Sequence, residues 1–558
     1  MGKILLIALF APTLFAQTEA DVRKAVERAL PALERSAASF VAKRACVSCH
    51  HNILPVLAFH LARQHGLAID EKVLAAVEDK TFRVLRGPAA LDDAIQATGL
   101  ADPTPNDSFL LMTAHAAGLP RDTVKGVYAQ RLVNWQRDGH WITSDFRPPH
   151  SSSAFTATAT AIRAIDFYQP DEFRAQRDAC FLRARRWLAA THPLSTEDAS
   201  FRLMGLVWAG GSASEIAAAK RDLLALHSAS GGWPELPAYQ PDAYSTGEAI
   251  YALHEAGAPS TDLKFLLSTQ APDGTWQVHT RMLSPAPVSP EYFSTGFPYG
   301  KDEYLSYAAS SWAVIALLSS LPVEARPDVV SHEADPAPAW IRTALFGSAK
   351  QLAGLLDAGL DPNSVLTMAA PDAEKVRLLL SHGAKVTAKV VTIAASWRGT
   401  AESLRLLQES NARALERASM TGDLENVKVL LKGGAEPSAG LSQAVTFGYA
   451  DVVRTLIAAG ANAKMTESTG INLLHWATIA NRPDVIPVLA AAGVPINAID
   501  DFHYTPLMYA ATIDFGDTRV LKALLKAGAD PKIRNAEGRT ALEQARYYRH
   551  TQLERALQ

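Results

Sequence analysis

Gln136-Arg137-Asp138-Gly139-His140-Trp141 closes an apolar segment and returns in altered form as Ser230-Gly231-Gly232-Trp233 and as Gln270-Ala271-Pro272-Asp273-Gly274-Thr275-Trp276. The segments around these turns also repeat and tend to end at glycine. Ser108 to Gly118 reads like Thr246 to Gly257, with further copies at Phe155 to Ile165, Phe201 to Leu206 and Ser311 to Leu318. Apolar residues recur at helical spacing, and an alternating strand pattern is almost absent, so residues 17–320 are expected to be all-helical. A repeat of roughly 40–50 residues, each a helical hairpin that buries its face only against its neighbours, implies a solenoid or a closed ring.

The Gln-x-x-Asp-Gly-x-Trp turns resemble the QW motifs of squalene–hopene cyclases, and the hairpin series is similar to their α/α-toroid. The resemblance implies an all-α fold for residues 17–320 in which the glutamine caps a helix end, the tryptophan stacks on it, and neighbouring hairpins are tied together. The reaction is not expected to follow. The Asp-x-Asp-Asp motif that supplies the cyclases' general acid is missing. Leu91-Asp92-Asp93-Ala94 and Glu197-Asp198 read as helix starts. The Asp, Cys and His zinc set of toroid prenyltransferases is missing too. The ring is therefore read as a binding scaffold, with an enzyme acting on a hydrophobic small molecule inside the ring as the alternative.

Cys46-Val47-Ser48-Cys49-His50-His51 is the most specific chemical motif of the chain. Cys-x-x-Cys-His is the attachment spacing for haem c, with Cys46 and Cys49 bonded to the porphyrin vinyl groups and His50 as proximal iron ligand. Trp141 lies 92 residues beyond Cys49, about two repeats, which puts the motif at a first hairpin turn. No Met-Pro dipeptide supplies a distal ligand; that role falls to His60, His65, Met112 or His115, or the iron is five-coordinate. A Cys46–Cys49 disulfide is the competing reading. Cys180, the third cysteine, sits on an amphipathic segment and reads as a small buried hydrophobe.

Either reading needs an oxidising compartment, and the first residues predict one. Met1-Gly2-Lys3, the apolar run Ile4 to Phe10, and Leu14-Phe15-Ala16 read as a signal peptide over residues 1–16, giving a periplasmic or secreted protein. No later stretch reaches ~18 uninterrupted apolar residues, so no membrane span is expected. A formal net charge of −3 gives no basis for binding nucleic acid or an anionic membrane.

Loops at hairpin ends are where a ring would build a mouth. Three combine aromatic, proline and charged residues: 145–150, 241–246 and 292–304. Arg147, His150, Glu248, Asp302 and Glu303 are the candidate pocket residues drawn from them and from the helix after the second.

Pro322, Pro327, Pro336 and Pro338 mark residues 321–338 as a linker. Beyond it a second repeat begins. Leu355-Leu356-Asp357-Ala358-Gly359 recurs at Leu379 to Gly383, Leu430 to Gly434, Leu456 to Gly460, Leu489 to Gly493 and Leu524 to Gly528, with a degenerate copy at Leu406 to Asn411. These resemble ankyrin repeats. Thr505-Pro506-Leu507-Met508-Tyr509-Ala510 fits the family's Thr-Pro-Leu-His-x-Ala helix start, and Asn472 to Ala477 keeps its histidine. Gly460 to Gly493 is 33 residues and Gly493 to Gly528 is 35, close to the family period, whereas Gly359 to Gly383 is 24, a repeat without its β-hairpin finger. About seven units over 339–558 form a separate solenoid domain, and the resemblance implies a protein partner. His382, His475, His503 and His550 read as caps or surface groups.

Overall fold

The computed structural model describes residues 18–45, 47–87, 89–96, 103–144, 147–150, 152–258, 263–281, 294–323, 335 and 337–558, with the backbone alone for Cys49, His50 and Pro103. The expected signal peptide, Cys46 and most of the proline-rich linker lie outside these residues. Among the described residues the fold is all-helical, with isolated bridges such as Arg137–His140 and Thr466–Asn472 in place of strands.

The first region holds α1 (Glu19–Lys43), α2 (Leu54–Gln64), α3 (Glu71–Phe82), α4 (Ala90–Gln96), α5 (Pro103–Ala116), α6 (Thr123–Trp135) and α7 (Ala154–Tyr168). It continues with α8 (Arg174–Ala190), α9 (Thr196–Trp208), α10 (Ala213–Ala225), α11 (Ala243–Glu255), α12 (Lys264–Thr269) and α13 (Glu303–Leu318). Side-chain caps start many of them: Asp122 for α6, Ser153 for α7, Ser195 for α9, Asp242 for α11, and a Ser212–Glu215 capping box for α10.

Packing sorts these helices into two sets. In the inner set α2 packs on α5, α5 on α7, α7 on α9, α9 on α11, α11 on α13, and α13 returns to α2. The outer helices flank it: α6 and α8 on α7, α10 on α9, α12 on α11, and α1 on both α13 and α12. Composition follows position. Every residue of α13 is buried, as its apolar sequence requires, whereas α8 buries only Cys180, Ala184 and Leu188, one stripe at helical spacing. Cys180 is thus the buried small hydrophobe its sequence context suggests; burial pushes its thiol up to about 12, which makes it inert.

The three tryptophan turns share one geometry. The indole N–H of Trp141 donates to Leu132 O (2.7 Å), that of Trp233 to Leu223 O (2.9 Å), and that of Trp276 to Leu266 O (2.9 Å), each in the outer helix just completed. Each tryptophan backbone N–H donates forward to a hydroxyl on the next inner helix: Thr158 Oγ1, Thr246 Oγ1 and Ser310 Oγ. Each turn therefore ties an outer helix to the inner helix that follows.

The glutamines tie neighbouring outer helices together. Gln136 Nε2 donates to Cys180 O in the body of α8 (2.9 Å), and Gln270 Nε2 to Ala25 O in the body of α1 (2.8 Å). They brace mid-helix carbonyls and do not cap helix ends, and the tryptophans are fixed by hydrogen bonds into the preceding helix. Through Gln270 the last outer helix is bonded to the first. Gly139 and Gly274 allow this approach: both are left-handed, with φ of +84° and +87°, and an added Cβ would lie 2.8 Å from Arg183 O or 2.1 Å from Arg28 O.

Eight helix pairs follow among the described residues, from Ala339–Phe346 with Ala349–Asp357 to Ala541–Tyr547 with Thr551–Leu557. First helices pack on first helices and second on second along the whole series, giving a two-layer solenoid. The eighth pair, after the last Leu-Leu-x-x-Gly signature, is the one that the sequence count of about seven leaves out. Early pairs are joined by short links such as 358–361, without fingers, while the later links 459–472 and 492–505 are long enough to touch, Asp501 N–H donating to Thr469 O at 2.9 Å.

This array lies against the first region through the loops inside its helix pairs. Trp135 Nε1 donates to Ser396 O (2.9 Å), Asn134 pairs with the backbone of Arg398, and Arg137 reaches Gly422 O (3.2 Å) and Asp451 (3.2 Å) while covering the Tyr449 ring. Further along, Arg482 donates to Thr143 O, Tyr239 O–H donates to Asp514 Oδ2 (2.7 Å), and Arg281 donates to Asp514 O (2.7 Å). Five successive pairs contribute, and the second residue of the first tryptophan turn is one of the contact points.

Candidate functional site

The residues quoted for haem attachment enter the fold between α1 and α2. A π-helical turn, Cys49–Ile53, leads straight into α2. Ser48 fixes it: its N–H donates to Asn52 Oδ1 (2.9 Å), and its hydroxyl accepts from the His51 N–H (3.0 Å). Cys46 and the side chains of Cys49 and His50 lie outside the described residues. His51 is fully buried and stacked between Phe40 (4.9 Å) and Tyr307 (4.4 Å), nearly parallel to both. Burial, followed by the charge of nearby His150, lowers its pKa to about 3, so it is neutral at any physiological pH.

Three of the four suggested distal ligands have partners elsewhere. His60 Nε2 is bonded to Glu78 (2.5 Å) and its Nδ1 to Arg63 (2.9 Å); His65 Nδ1 meets Pro322 O (2.9 Å); and His115 stacks on Phe167 at 3.5 Å. Met112 is half-buried in α5. Among the described residues no group of three or more His, Cys, Asp or Glu is placed to hold a metal ion.

Of the five pocket candidates, two come together. His150 Nδ1 lies 3.1 Å from the Tyr244 hydroxyl, and Tyr244 donates to Glu197 Oε2 (3.3 Å), whose other oxygen accepts from Thr156 Oγ1 (2.5 Å). Glu248, one turn after Tyr244 on α11, is fully buried, and neither of its oxygens has a hydrogen bond of normal geometry. Burial, and then the Glu197 carboxyl, pushes its pKa well above the ordinary value, which the adjoining Tyr244 phenol offsets only in part. Burial pushes Glu197 up to about 8. Four elements thus meet in the interior: α7, α9, α11 and the 147–150 turn.

The other three candidates lie apart from this pair. Asp302 accepts from Thr280 N–H (3.0 Å) and His279 Nδ1 (2.8 Å), Glu303 accepts from the backbone and hydroxyl of Thr295 (2.5 Å each), and Arg147 is half-buried in its turn. Asp198 behaves as a helix start should, accepting from Leu194 N–H and Ser153 Oγ at the mouth of α9, and Asp92 sits in the first turn of α4. Glu197, however, turns inward, a role that its place in an acidic pair beside a serine cap concealed.

A second buried charge group joins the cluster to the array. Arg281 and Glu235 form an ion pair, 6% and 3% exposed, and Arg281 also bonds to Asp514 O. Glu197 and Glu235 sense the same guanidinium. Glu197, Asp198 and Glu235 thus share one buried cation, Arg281, and burial raises the pKa of all three despite it. Spacing could not have found Arg281 or Asp514, which are 233 residues apart.

In the array His382 is exposed at the C-cap of its helix, Nδ1 donating to Leu378 O, and His475 completes the Asn472 capping box, as caps should; but His475 and His550 are buried and not surface groups, His475 Nε2 donating to Tyr504 O and His550 Nδ1 to Ala511 O. Thr505 caps its helix by accepting from Met508 N–H, with Pro506 at the first helical position. Residues 441–535 match the family model for ankyrin repeats, three copies. The C-terminal array is built of ankyrin repeats. Curated relatives agree: the Hip14 palmitoyltransferase of Drosophila melanogaster is 36% identical over 97 residues, 17% of this chain and 15% of that protein. A putative ankyrin repeat-containing protein of Treponema pallidum is 36% identical over 96 residues, 17% of this chain and 32% of that protein. The chain thus spans from about a seventh to a third of the length of these relatives. Ankyrin repeats make the array a protein-interaction domain, and no helix among the described residues is long and apolar enough to cross a membrane.

Proposed function

We propose that this chain is an exported protein-binding scaffold. In it a non-cyclising α/α-toroid of the squalene–hopene cyclase kind carries haem c on Cys46 and Cys49, and the ankyrin array recruits a protein partner. The return of α13 to α2, with the shared bonding of the three tryptophan turns, is the observation that supports the toroid. The donor set supports the haem: two thiols and an imidazole at attachment spacing, on a turn that Ser48 and Asn52 hold in place. His50 would be the proximal ligand. When bound, the group would supply one-electron chemistry or bind a small gas.

The test is periplasmic expression with the cytochrome c maturation machinery, followed by a haem-stained denaturing gel and a reduced pyridine haemochrome spectrum. A covalent band lost in Cys46→Ala and Cys49→Ala is the expected result. No band, with a Cys46–Cys49 disulfide by mass spectrometry, would overturn the haem and leave a structural clip. For the array, residues 339–558 should enrich an exported protein in a pull-down; enrichment of none counts against recruitment.

The Glu197–Tyr244–Glu248 cluster favours a second reading, an enzyme acting on a hydrophobic molecule inside the ring. A carboxyl that keeps its proton near neutral pH is suited to general-acid work. Incubation with squalene or a polyprenyl lipid tests it: product formed by the wild type and lost in Glu197→Gln supports it, and silence removes it.

A further inference from the structure

A cleft of about 740 Å³ lies between the ring and the last ankyrin helix pair. On the ring side it is walled by Tyr239, Phe265 and the start of α13; on the array side by Tyr547, Tyr548 and Arg549. Its size is that of a small-molecule site, and like such sites it falls where two folded units meet.

The charges of the walls are unevenly committed. Asp302 already accepts from His279 and Thr280, Asp242 caps α11 through the Ser245 N–H, and Glu235 is paired with Arg281. Lys301 and Arg549, both exposed, are the cations of the lining with no ion pair or side-chain hydrogen bond among the described residues. They stand on the two different walls. Arg549 is left-handed, φ 61°, as are Gly422, Gly448 and Asn481 in the corresponding turns of earlier helix pairs. It directly follows the two tyrosines of its wall; Tyr547 is 63% exposed, with the Arg539 guanidinium over its ring at 4.2 Å.

We propose that this cleft binds a small organic anion, a carboxylate or phosphate on a flat apolar body, gripped by Lys301 of the ring and Arg549 of the ankyrin array. The tyrosines and Phe265 take the body, and the two cations take the head. Because the cations belong to different units, occupancy fastens the end of the array to the ring. The site is separate from the Cys46–His51 turn, and it shares Glu235 and Arg281 with the buried charge group beside Glu197.

Isothermal titration of the full chain with four probes of one ring size tests the proposal: 2-naphthoate, 2-naphthyl phosphate, 2-naphthalenemethanol and 2-naphthylmethylamine. At least one anion should bind, with the alcohol and the amine at least tenfold weaker, and the tighter anion identifies the preferred head group. Lys301→Gln and Arg549→Gln should each weaken that anion about tenfold, the loss of one charge-assisted hydrogen bond. The bound anion should also slow hydrogen exchange in residues 541–557. Lys301→Gln lies in the ring, so its effect is independent of any fraying that Arg549→Gln causes in the last repeat. No anion binding at millimolar concentration, equal or tighter binding of the amine, or affinities untouched by both variants would overturn it.

Discussion

Replacing Glu197 by glutamine should flatten the pH dependence of stability. The wild-type carboxyl is buried against Thr156 and Tyr244 and titrates at about 8, in place of 4.5 in the unfolded chain. Between those values the folded state keeps a proton that the unfolded state releases. Stability from this group is therefore fully present below pH 4.5 and is lost as pH rises toward 8. The slope for one such group is about 1.4 kcal/mol per pH unit, on the order of 5 kcal/mol across the window. Glutamine reproduces the protonated acid, with one donor and one acceptor, so E197Q should match the wild type near pH 5 and exceed it near pH 8. Urea unfolding followed by tryptophan fluorescence at pH 5, 6.5 and 8 measures this, reading the ring's transition separately if the array melts alone. Parallel pH profiles for E197Q and wild type would refute the proton-holding role of Glu197.

Other consequences of the geometry are equally direct. Gln270→Ala removes the bonds to Ala25 O and Gly274 O and should destabilise the ring by about 2 kcal/mol, with faster hydrogen exchange in residues 19–43 as its signature. Gly274→Ala should cost about 3 kcal/mol or more, because the new Cβ meets the Arg28 backbone, whereas Gly210→Ala, equally left-handed but with nothing within 4 Å, should cost about 1–2 kcal/mol; urea midpoints compare them. Arg137→Ala cuts the contacts to Gly422, Asp451 and Tyr449 and should speed hydrogen exchange in residues 450–458 about tenfold without unfolding the ring.

Much of this architecture was legible because it is written in short-range patterns. The tryptophan turns, the glycines after helices and the Thr-Pro-Leu start each report a local requirement: a donor for a helix-end carbonyl, a left-handed residue, a preset φ. The eighth helix pair escaped because the Leu-Leu-x-x-Gly signature, which follows the second helix of a pair, does not recur after Gly528; Arg549, left-handed at φ 61°, holds the turn inside the pair, between Ala541–Tyr547 and Thr551–Leu557, where earlier pairs place Gly422 or Gly448. The buried cluster escaped for a different reason. Glu197 sits in sequence beside a helix cap and in space beside Tyr244, and only the second neighbour sets its chemistry. His150 and Glu248 lie on or just beyond loops at hairpin ends, and so do Asp302, which accepts from His279 and the Thr280 N–H, and Glu303, which accepts from the backbone and hydroxyl of Thr295.

The docking of the array changes what its recognition role can be. Ankyrin repeats carry their variable contacts on the fingers and the concave face, and here the loops inside the helix pairs are already spent on the ring: Ser396, Arg398, Gly422, Arg482 and Asp514 all bond to it through backbone or side chain. A partner must therefore bind the remaining faces. Because Arg281 and Tyr239 meet Asp514 beside the shared carboxyls, a partner that shifts the array by even one helix pair would remove a neighbour from the charge cluster. Asp514 is one of the charges that raise the Glu235 carboxyl, so a partner that moves the array changes the proton affinity of that group.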